Sequence, residues 1–592
     1  MTLVLPLFLA LLVPTNAKPV ATAENADLVL RIVAPDSVDS ESPITFAAVV
    51  TQQGPGNATN VRLTTTIDSP TPVHCNAVDT VPFFPPDFSL SQSCVADALN
   101  GNGSLTITAS VTASPSDSNL SNNTATKTVR WIVGPDLAVH AALLAQTPLD
   151  PGVPSKLVLS YSNLSKLDAH NVAIRVAAPA DFTFASIPDF CSASAGVLSC
   201  NVGDVKARTG IPITPTNPSF TVDVVTPVGG GGGIFNLDVS IAGSEEEGNT
   251  ANNHVITSGI AYRTFVVADA NAFADAIRSA NSECTGTPSC KVLVDVANIQ
   301  LQSPLPALTA WRTIIQSRAN TQLDGKLLDN GTGFTISGCA DQIDGFAIGN
   351  FGDSGVHITS NPCGSPNVVQ NSKIGVGWDG VTPMPNGRGI VATGPVFIHD
   401  NIISANKYSG IFYVGRDTAT IERNTIGLDA NHQPRGNGAS GVFLGAPGRL
   451  TGNFIAFNYQ FGVSIARTTF ADLEPNSIFA NGYLGIDIGL DGPSVEALNP
   501  PTILAAHYDP TTDKTIVDLP GDVPGIIQLY ASDAPHASGF GDGQYYLGEF
   551  GGITPLKAKG DWRGKWISAT FTQFQKETIP RTSEFSRAVP VQ

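Results

Sequence analysis

Methionine is nearly missing: two residues in 592. Lysine and arginine are also sparse, at 32 together, so strong helix formers are in short supply and long helices are not expected. The 50 acidic residues outnumber the basic ones and give a formal charge of −18. That balance excludes a protein built to grip nucleic acid, because phosphate neutralisation needs basic patches. Charged residues total only 14% against 42% hydrophobic, the reverse of a disordered chain. No run of 18 apolar residues occurs, so no membrane-spanning helix is expected. HExxH, HxH, CxxC, EF-hand and P-loop patterns are all missing, so neither a metal site nor a cofactor is expected.

What is abundant is turn and strand material. Gly (57) and Pro (43) make up about a sixth of the chain, and Val, Ile, Thr and Asn fill much of the rest. This mixture reads as mainly β. Leu3–Val13 is an apolar run of signal-peptide length followed by small residues, with cleavage expected after Ala17 or Ala23. Residues 1–23 are therefore read as a leader and the protein as secreted or surface-displayed. The eight cysteines fall into four successive pairs: Cys75 with Cys94, Cys191 with Cys200, Cys284 with Cys290, and Cys339 with Cys363. Pairs confined to single modules suit disulfides in an oxidising compartment.

Two stretches of the amino-terminal half repeat one another. Asp27-Leu-Val-Leu returns as Asp136-Leu-Ala-Val, and Asn60-Val-Arg-Leu as Asn171-Val-Ala-Ile. Ser121-Asn-Asn-Thr, near the end of the first copy, returns as Ala251-Asn-Asn-His. Short strands with turn signals every 8–12 residues indicate β-sandwiches, at 24–133 and 134–262. The arrangement resembles the Ig-like modules of the bacterial DUF11 and CARDB families, which implies spacer or adhesive units.

From about 290 to 490 a different repeat takes over. Gly355-Val-His-Ile, Gly389-Ile-Val-Ala, Gly410-Ile-Phe-Tyr, Gly441-Val-Phe-Leu, Gly462-Val-Ser-Ile and Gly485-Ile-Asp-Ile follow at intervals of 34, 21, 31, 21 and 23 residues. The base period is near 22, with two related insertions after Ile374 and Ile426. Asn371, Asn401, Asn424, Asn453 and Asn476 open a second, interleaved phrase. A period in the twenties marks a solenoid, and without a leucine framework that means a parallel β-helix. Aliphatics flanking the variable residue should stack inside from coil to coil, with an asparagine ladder at one turn. Apolar residues at 273, 276, 277 and 280 predict a helix covering the open end, with Asn271 as its N-cap.

Leu301-Gln-Ser-Pro-Leu-Pro-Ala-Leu-Thr and the Gly485-Ile-Asp-Ile exit resemble the bacterial right-handed parallel β-helix proteins with a pectin-lyase-like solenoid. That resemblance implies a coil over 263–498 and an Ig-like sandwich over 499–592. The fold class read here is thus all-β, a right-handed parallel β-helix flanked by Ig-like sandwiches.

Catalytic signatures are missing. The Asn-Thr-Asp, Asp-Asp and Gly-His-Gly phrases of polygalacturonases, the pectate-lyase Trp-Ile-Asp-His and the pectinesterase Asp-Phe-Ile-Phe-Gly do not occur. Gly352-Asp-Ser-Gly355 matches a serine-protease fragment, but Ser also precedes the repeat Gly at 409 and 440, so it is a repeat position. Asp379, Asp429 and Asp491 read as turn residues. The third position of each Gly phrase gives an outward row: His357, Val391, Phe412, Phe443, Ser464 and Asp487. Phe412 and Phe443 fall on adjacent coils, and His357, Phe412, Phe443 and Asp487 are the candidate binding residues. Arg388, Lys407 and Arg416 lie near them in sequence. The expected function is non-catalytic binding of a polysaccharide, a cell-surface glycan or another surface. A polysaccharide lyase or glycoside hydrolase, and an envelope spacer, stand as alternatives.

Overall fold

The computed structural model describes residues 25–592 except 115–116, 146–147, 208–217, 287–288, 362, 474, 491–497 and 575–578. The leader read at 1–23 and Asp491 lie outside the described residues.

In the repeat region, strands of two to five residues are too short to bury much alone. They gain stability by stacking. The first sheet of the coil holds nine parallel strands, from Arg263–Val267 to Ala471–Asp472. The second holds eight, from Asn298–Gln300 to Ser477–Phe479, and the third seven, from Phe334–Ile336 to Ile486–Ile488. Each strand pairs with the strand one coil onward, so the chain winds through three sheets per turn as a right-handed parallel β-helix. The third sheet carries the Gly phrases in strict register: Val356, Ile390, Ile411, Val442, Val463 and Ile486 pair in sequence. These side chains are at most 2% exposed and form one interior column. A second column, Ile358, Ala392, Tyr413, Leu444, Ile465 and Ile488, runs beside it. Burying each aliphatic is worth about 1.5–3 kcal/mol, which is what holds the coils together.

The recurrent Gly answers a contact requirement. A Cβ at Gly410 would lie 2.7 Å from the Gly441 carbonyl oxygen and 2.9 Å from Asn437 Nδ2. The space is already taken by the next coil.

Asparagine ladders seal the turns. Asn401, Asn424, Asn453 and Asn476 are buried, and each amide Nδ2 donates to the Oδ1 of the next at 2.8–3.0 Å. Asn371 does not join them. Ser372 takes that place and donates its N–H to Asn401 Oδ1, while Asn371 points outward to Asp344. The reason is register: Lys373 pairs with Ile402, which aligns Ser372 with Asn401. A second ladder, Asn386, Asn406, Asn437, Asn458 and Asn481, runs along the turn before the third sheet with the same geometry.

Helix α1 (Ala270–Glu283) buries Phe273, Ala276, Ile277 and Ala280 against the coil opening. Its N-cap is Asp269, not Asn271: Asp269 Oδ1 accepts the Ala272 N–H at 2.8 Å. A carboxylate suits the positive end of the helix dipole. Phe273 stacks on Phe346 and meets Phe334 edge-on.

At the other end the chain forms two small antiparallel sheets after residue 504, around a core that includes Val517, Ile527, Leu529, Leu556, Ile567 and Ala569. This domain closes the coil. Phe585 lies against Gly485, and Ile488 donates its N–H to Glu584.

The amino-terminal unit comprises two modules. Its first module pairs a four-stranded sheet with a five-stranded one over Phe46, Leu105, Ile107 and Trp131. The second module repeats the two-sheet plan.

All four expected cysteine pairs are disulfides. In the first module Cys75 is bonded to Cys94, and in the second Cys191 is bonded to Cys200. Both bonds join residues directly opposite one another on antiparallel strands. At the coil opening Cys284, the residue after α1, is bonded to Cys290, the first residue of the next strand. Further along the coil Cys339 is bonded to Cys363. Cys94, Cys200 and Cys290 are buried, and Cys363 is exposed in its loop. These eight residues are staples of their modules and leave no thiol free for chemistry.

Candidate functional site: the aromatic face of the coil

Side chains alternate in and out along each short strand, so the residue between two interior aliphatics faces outward. In the third sheet this row runs His357, Val391, Phe412, Phe443, Ser464 and Asp487, each paired with its neighbour. Phe412 and Phe443 are half-buried and lie face to face, with ring centroids 4.7 Å apart and planes 11° from parallel. The Arg388 guanidinium sits over the Phe412 ring at 4.9 Å and over the Tyr408 ring at 5.6 Å. It makes no ion pair with a carboxylate among the described residues. Two π faces therefore hold an uncompensated cation beside an apolar platform.

The other row members stand apart from this pair. His357 lies two coils away, separated by Val391. Asp487 is fully buried rather than presented outward. The carboxy-terminal domain covers that end of the coil, with Phe585 and Asp542 against Gly485. Asp487 is thus removed from any face open to a ligand. Lys407 and Arg416 are exposed.

The structure adds tyrosines that the Gly-phrase reading passed over. Tyr408 and Tyr483 occupy one row, each two residues before a repeat Gly, linked through Ala439 and Gln460 by backbone hydrogen bonds. Both are at least half exposed, as is Tyr459 in the adjacent row. Phe461 meets Tyr483 edge-on at 5.3 Å. Their signal was present in the sequence as aromatics just ahead of the Gly.

The turn carboxylates are bound to their own loops. Asp379 accepts the N–H groups of Val381 and Thr382 and the Thr382 hydroxyl, and these bonds hold its carboxyl below the usual range. Asp429 is buried, accepts the N–H groups of Asn431 and Gln433, and lies 3.6 Å from Arg435. Each folds an inserted loop. No three His, Cys, Asp or Glu side chains among the described residues converge to hold a metal.

Residues 292–485 match the family model of the periplasmic copper-binding protein (NosD). That is the coil from its second strand to the final Gly phrase, a third of the chain. No curated protein matches the sequence. Among solved structures, a transglutaminase from red sea bream is similar at 10% identity, over 40% of this chain and 31% of that one, with a TM-score of 0.20. Native alpha-2-macroglobulin from E. coli is similar at 13% identity, over 41% and 17%, with a TM-score of 0.18. The catalytic unit of the GH87 alpha-1,3-glucanase from Streptomyces thermodiastaticus is similar at 12% identity, over 60% and 75%, with a TM-score of 0.21. This chain spans less than a third of the first two, and at these TM-scores none of the overlays bears on fold or activity. The four disulfides and the match to a periplasmic family agree with a secreted or cell-surface protein.

Proposed function

We propose that this is an exported, non-catalytic binding protein that takes carbohydrate on the third sheet of its β-helix. The observation that carries the reading is the stacked Phe412/Phe443 pair with Arg388 lying over it. A pyranose presents an apolar C–H face that such a platform matches, and the guanidinium offers fork-shaped donors to ring substituents. The tyrosines at 408, 459 and 483 extend the aromatic strip along the coil axis, as an elongated glycan requires. The two amino-terminal sandwiches, read as modules of the DUF11 and CARDB sort, serve as spacer or adhesive units.

The copper chemistry named for the matched family does not fit the residues here. All eight cysteines are in disulfides, and Met384 is buried in the coil. His399 is committed to Asp400, and His170 to Glu245. A soft-metal donor set is not assembled among the described residues.

A glycan array followed by affinity electrophoresis tests the proposal. The wild-type protein should be retained by at least one polysaccharide or surface glycan, and Phe412→Ala/Phe443→Ala should abolish the retention. Failure to bind any glycan or cell surface would overturn it.

A further inference from the structure

Several arginines of the coil face a carboxylate. Arg318 pairs with Asp295, Arg423 with Asp400 and Glu422, Arg435 with Asp429, and Arg449 with Asp472. Arg388 does not. It stands one residue before a repeat Gly, and three other coils place a buried serine at that step: Ser354, Ser409 and Ser440. Ser354 is its partner in the sheet. An unpaired charge buried in the wall would be costly, so the arginine side chain runs outward and lies over the Phe412 and Tyr408 rings. Arg388, Phe412 and Phe443 come from three successive coils and form one file along the coil axis.

Contact with ring faces uses none of the five guanidinium N–H donors. No described residue accepts a hydrogen bond from the Arg388 side chain, and none of its nitrogens is sealed from solvent. The fork is therefore held by two rings and open at its donors, the pre-organised state for a bidentate partner. A sugar hydroxyl can accept one of these donors. An oxyanion accepts two in parallel and offsets the charge as well, which makes it the stronger partner. Lys407, exposed and next to Tyr408 in the chain, adds a second positive charge. On the preceding coil the Asp353 carboxylate is occupied by the Thr332 hydroxyl at 3.1 Å and the Ser354 hydroxyl at 3.4 Å.

We propose that the glycan taken on the third sheet is anionic, with a uronate carboxylate or a sulfate ester on the sugar that meets Phe412 and Phe443, and that Arg388 is the residue that selects it. The inference rests on the glycan-binding reading above and adds the charge of the ligand and the side chain that reads it. The formal charge of −18 sharpens the claim. The molecule as a whole repels a polyanion, so a preference for one has to come from a local cation.

Affinity electrophoresis of the full chain tests this, in gels containing alginate or its neutral propylene glycol ester, and dextran sulfate or dextran, at an ionic strength of about 0.15 M. The wild type should be held at least about tenfold more tightly by one of the charged polymers than by its neutral partner. Alginate in that role assigns the oxyanion to a carboxylate, and dextran sulfate to a sulfate ester. Arg388→Gln should bring the charged-to-neutral ratio down to about one, the value without a charge-assisted contact. Should that variant not fold, Arg388→Lys takes its place: a point charge without the fork should hold the charged polymer several-fold less tightly than the wild type. Equal retention on charged and neutral polymers by the wild type, or a preference undiminished in these variants, would overturn the inference. Equal retention that disappears in Phe412→Ala/Phe443→Ala would refute the charge of the ligand and leave the aromatic platform standing. Retention by none of these polymers would also overturn the inference, with the glycan array deciding the platform separately.

Discussion

Asp341 occupies a buried turn position of the kind that asparagine fills elsewhere in the coil. Its Oδ1 accepts the Thr313 N–H, its own N–H donates to Asn367 Oδ1, and its Oδ2 has no partner. Burial pushes its carboxyl up to about 8. Between the ordinary value near 4 and about 8, the unfolded chain has released a proton that the folded chain retains. Stability contributed here is therefore present at low pH and lost as pH rises through that window, by on the order of a few kcal/mol. Asp341→Asn should remove the loss. Melting temperature against pH should fall more steeply from pH 4 to 8 in the wild type than in the variant. Parallel curves would show that the carboxyl ionises freely. The composition gave no hint of this, because an Asp in a turn reads as solvated until its burial is seen.

Within the elements, the ladders make unequal demands on asparagines that look alike in sequence. Asn424 donates to Asn453 Oδ1 and the Ile398 carbonyl, and accepts from Asn401. Truncating it orphans several buried groups, each at about 1–3 kcal/mol. Asn424→Ala should cost about 2–4 kcal/mol in urea unfolding, while Asn371→Ala, which loses one exposed bond to Asp344 and an asparagine suited to the left-handed backbone at φ 51°, should cost only about 1 kcal/mol. Equal costs would contradict the assigned register. The inside column was legible because alternation about the Gly phrase admits one interior face. The ladder was legible as a type of device but was misplaced by one residue at Asn371, since Asn371 and Ser372 are both turn-forming polar residues and only strand register separates them. The Asn386-to-Asn481 ladder was missed because its members sit in turns of varied sequence, two of them beyond inserted loops. The α1 apolar spacing located the helix face but not the cap, because Asp269 and Asn271 are both good capping residues.

At the scale of the whole molecule, the coil needs both ends covered, and the segments that cover them come from outside the repeat. Helix α1 was readable from its periodicity. The carboxy-terminal closure was not, because Phe585 and Glu584 lie about a hundred residues beyond the strand they cover, and that distance is why Asp487 read as an open position. Phe585 packs on Tyr530 edge-on at 5.3 Å and against Gly485. Phe585→Ala should cost about 3–5 kcal/mol and speed hydrogen exchange selectively in the final coil strands, 477–479 and 486–488. Exchange that rises evenly along the coil would contradict a local closure.

Ile411 and Phe412 are chain neighbours on opposite sides of one sheet, the first wholly enclosed and the second half-open. Melting and glycan retention measured together on Ile411→Ala and on Phe412→Ala/Phe443→Ala separate packing from recognition most directly. Ile411→Ala should lose about 2–5 kcal/mol of stability and still be retained below its melting point. The double variant should lose only about 1–2 kcal/mol and retain no glycan. A double variant that still binds, or an Ile411→Ala protein as stable as the wild type, would contradict the assignment of inner wall to stability and outer wall to binding.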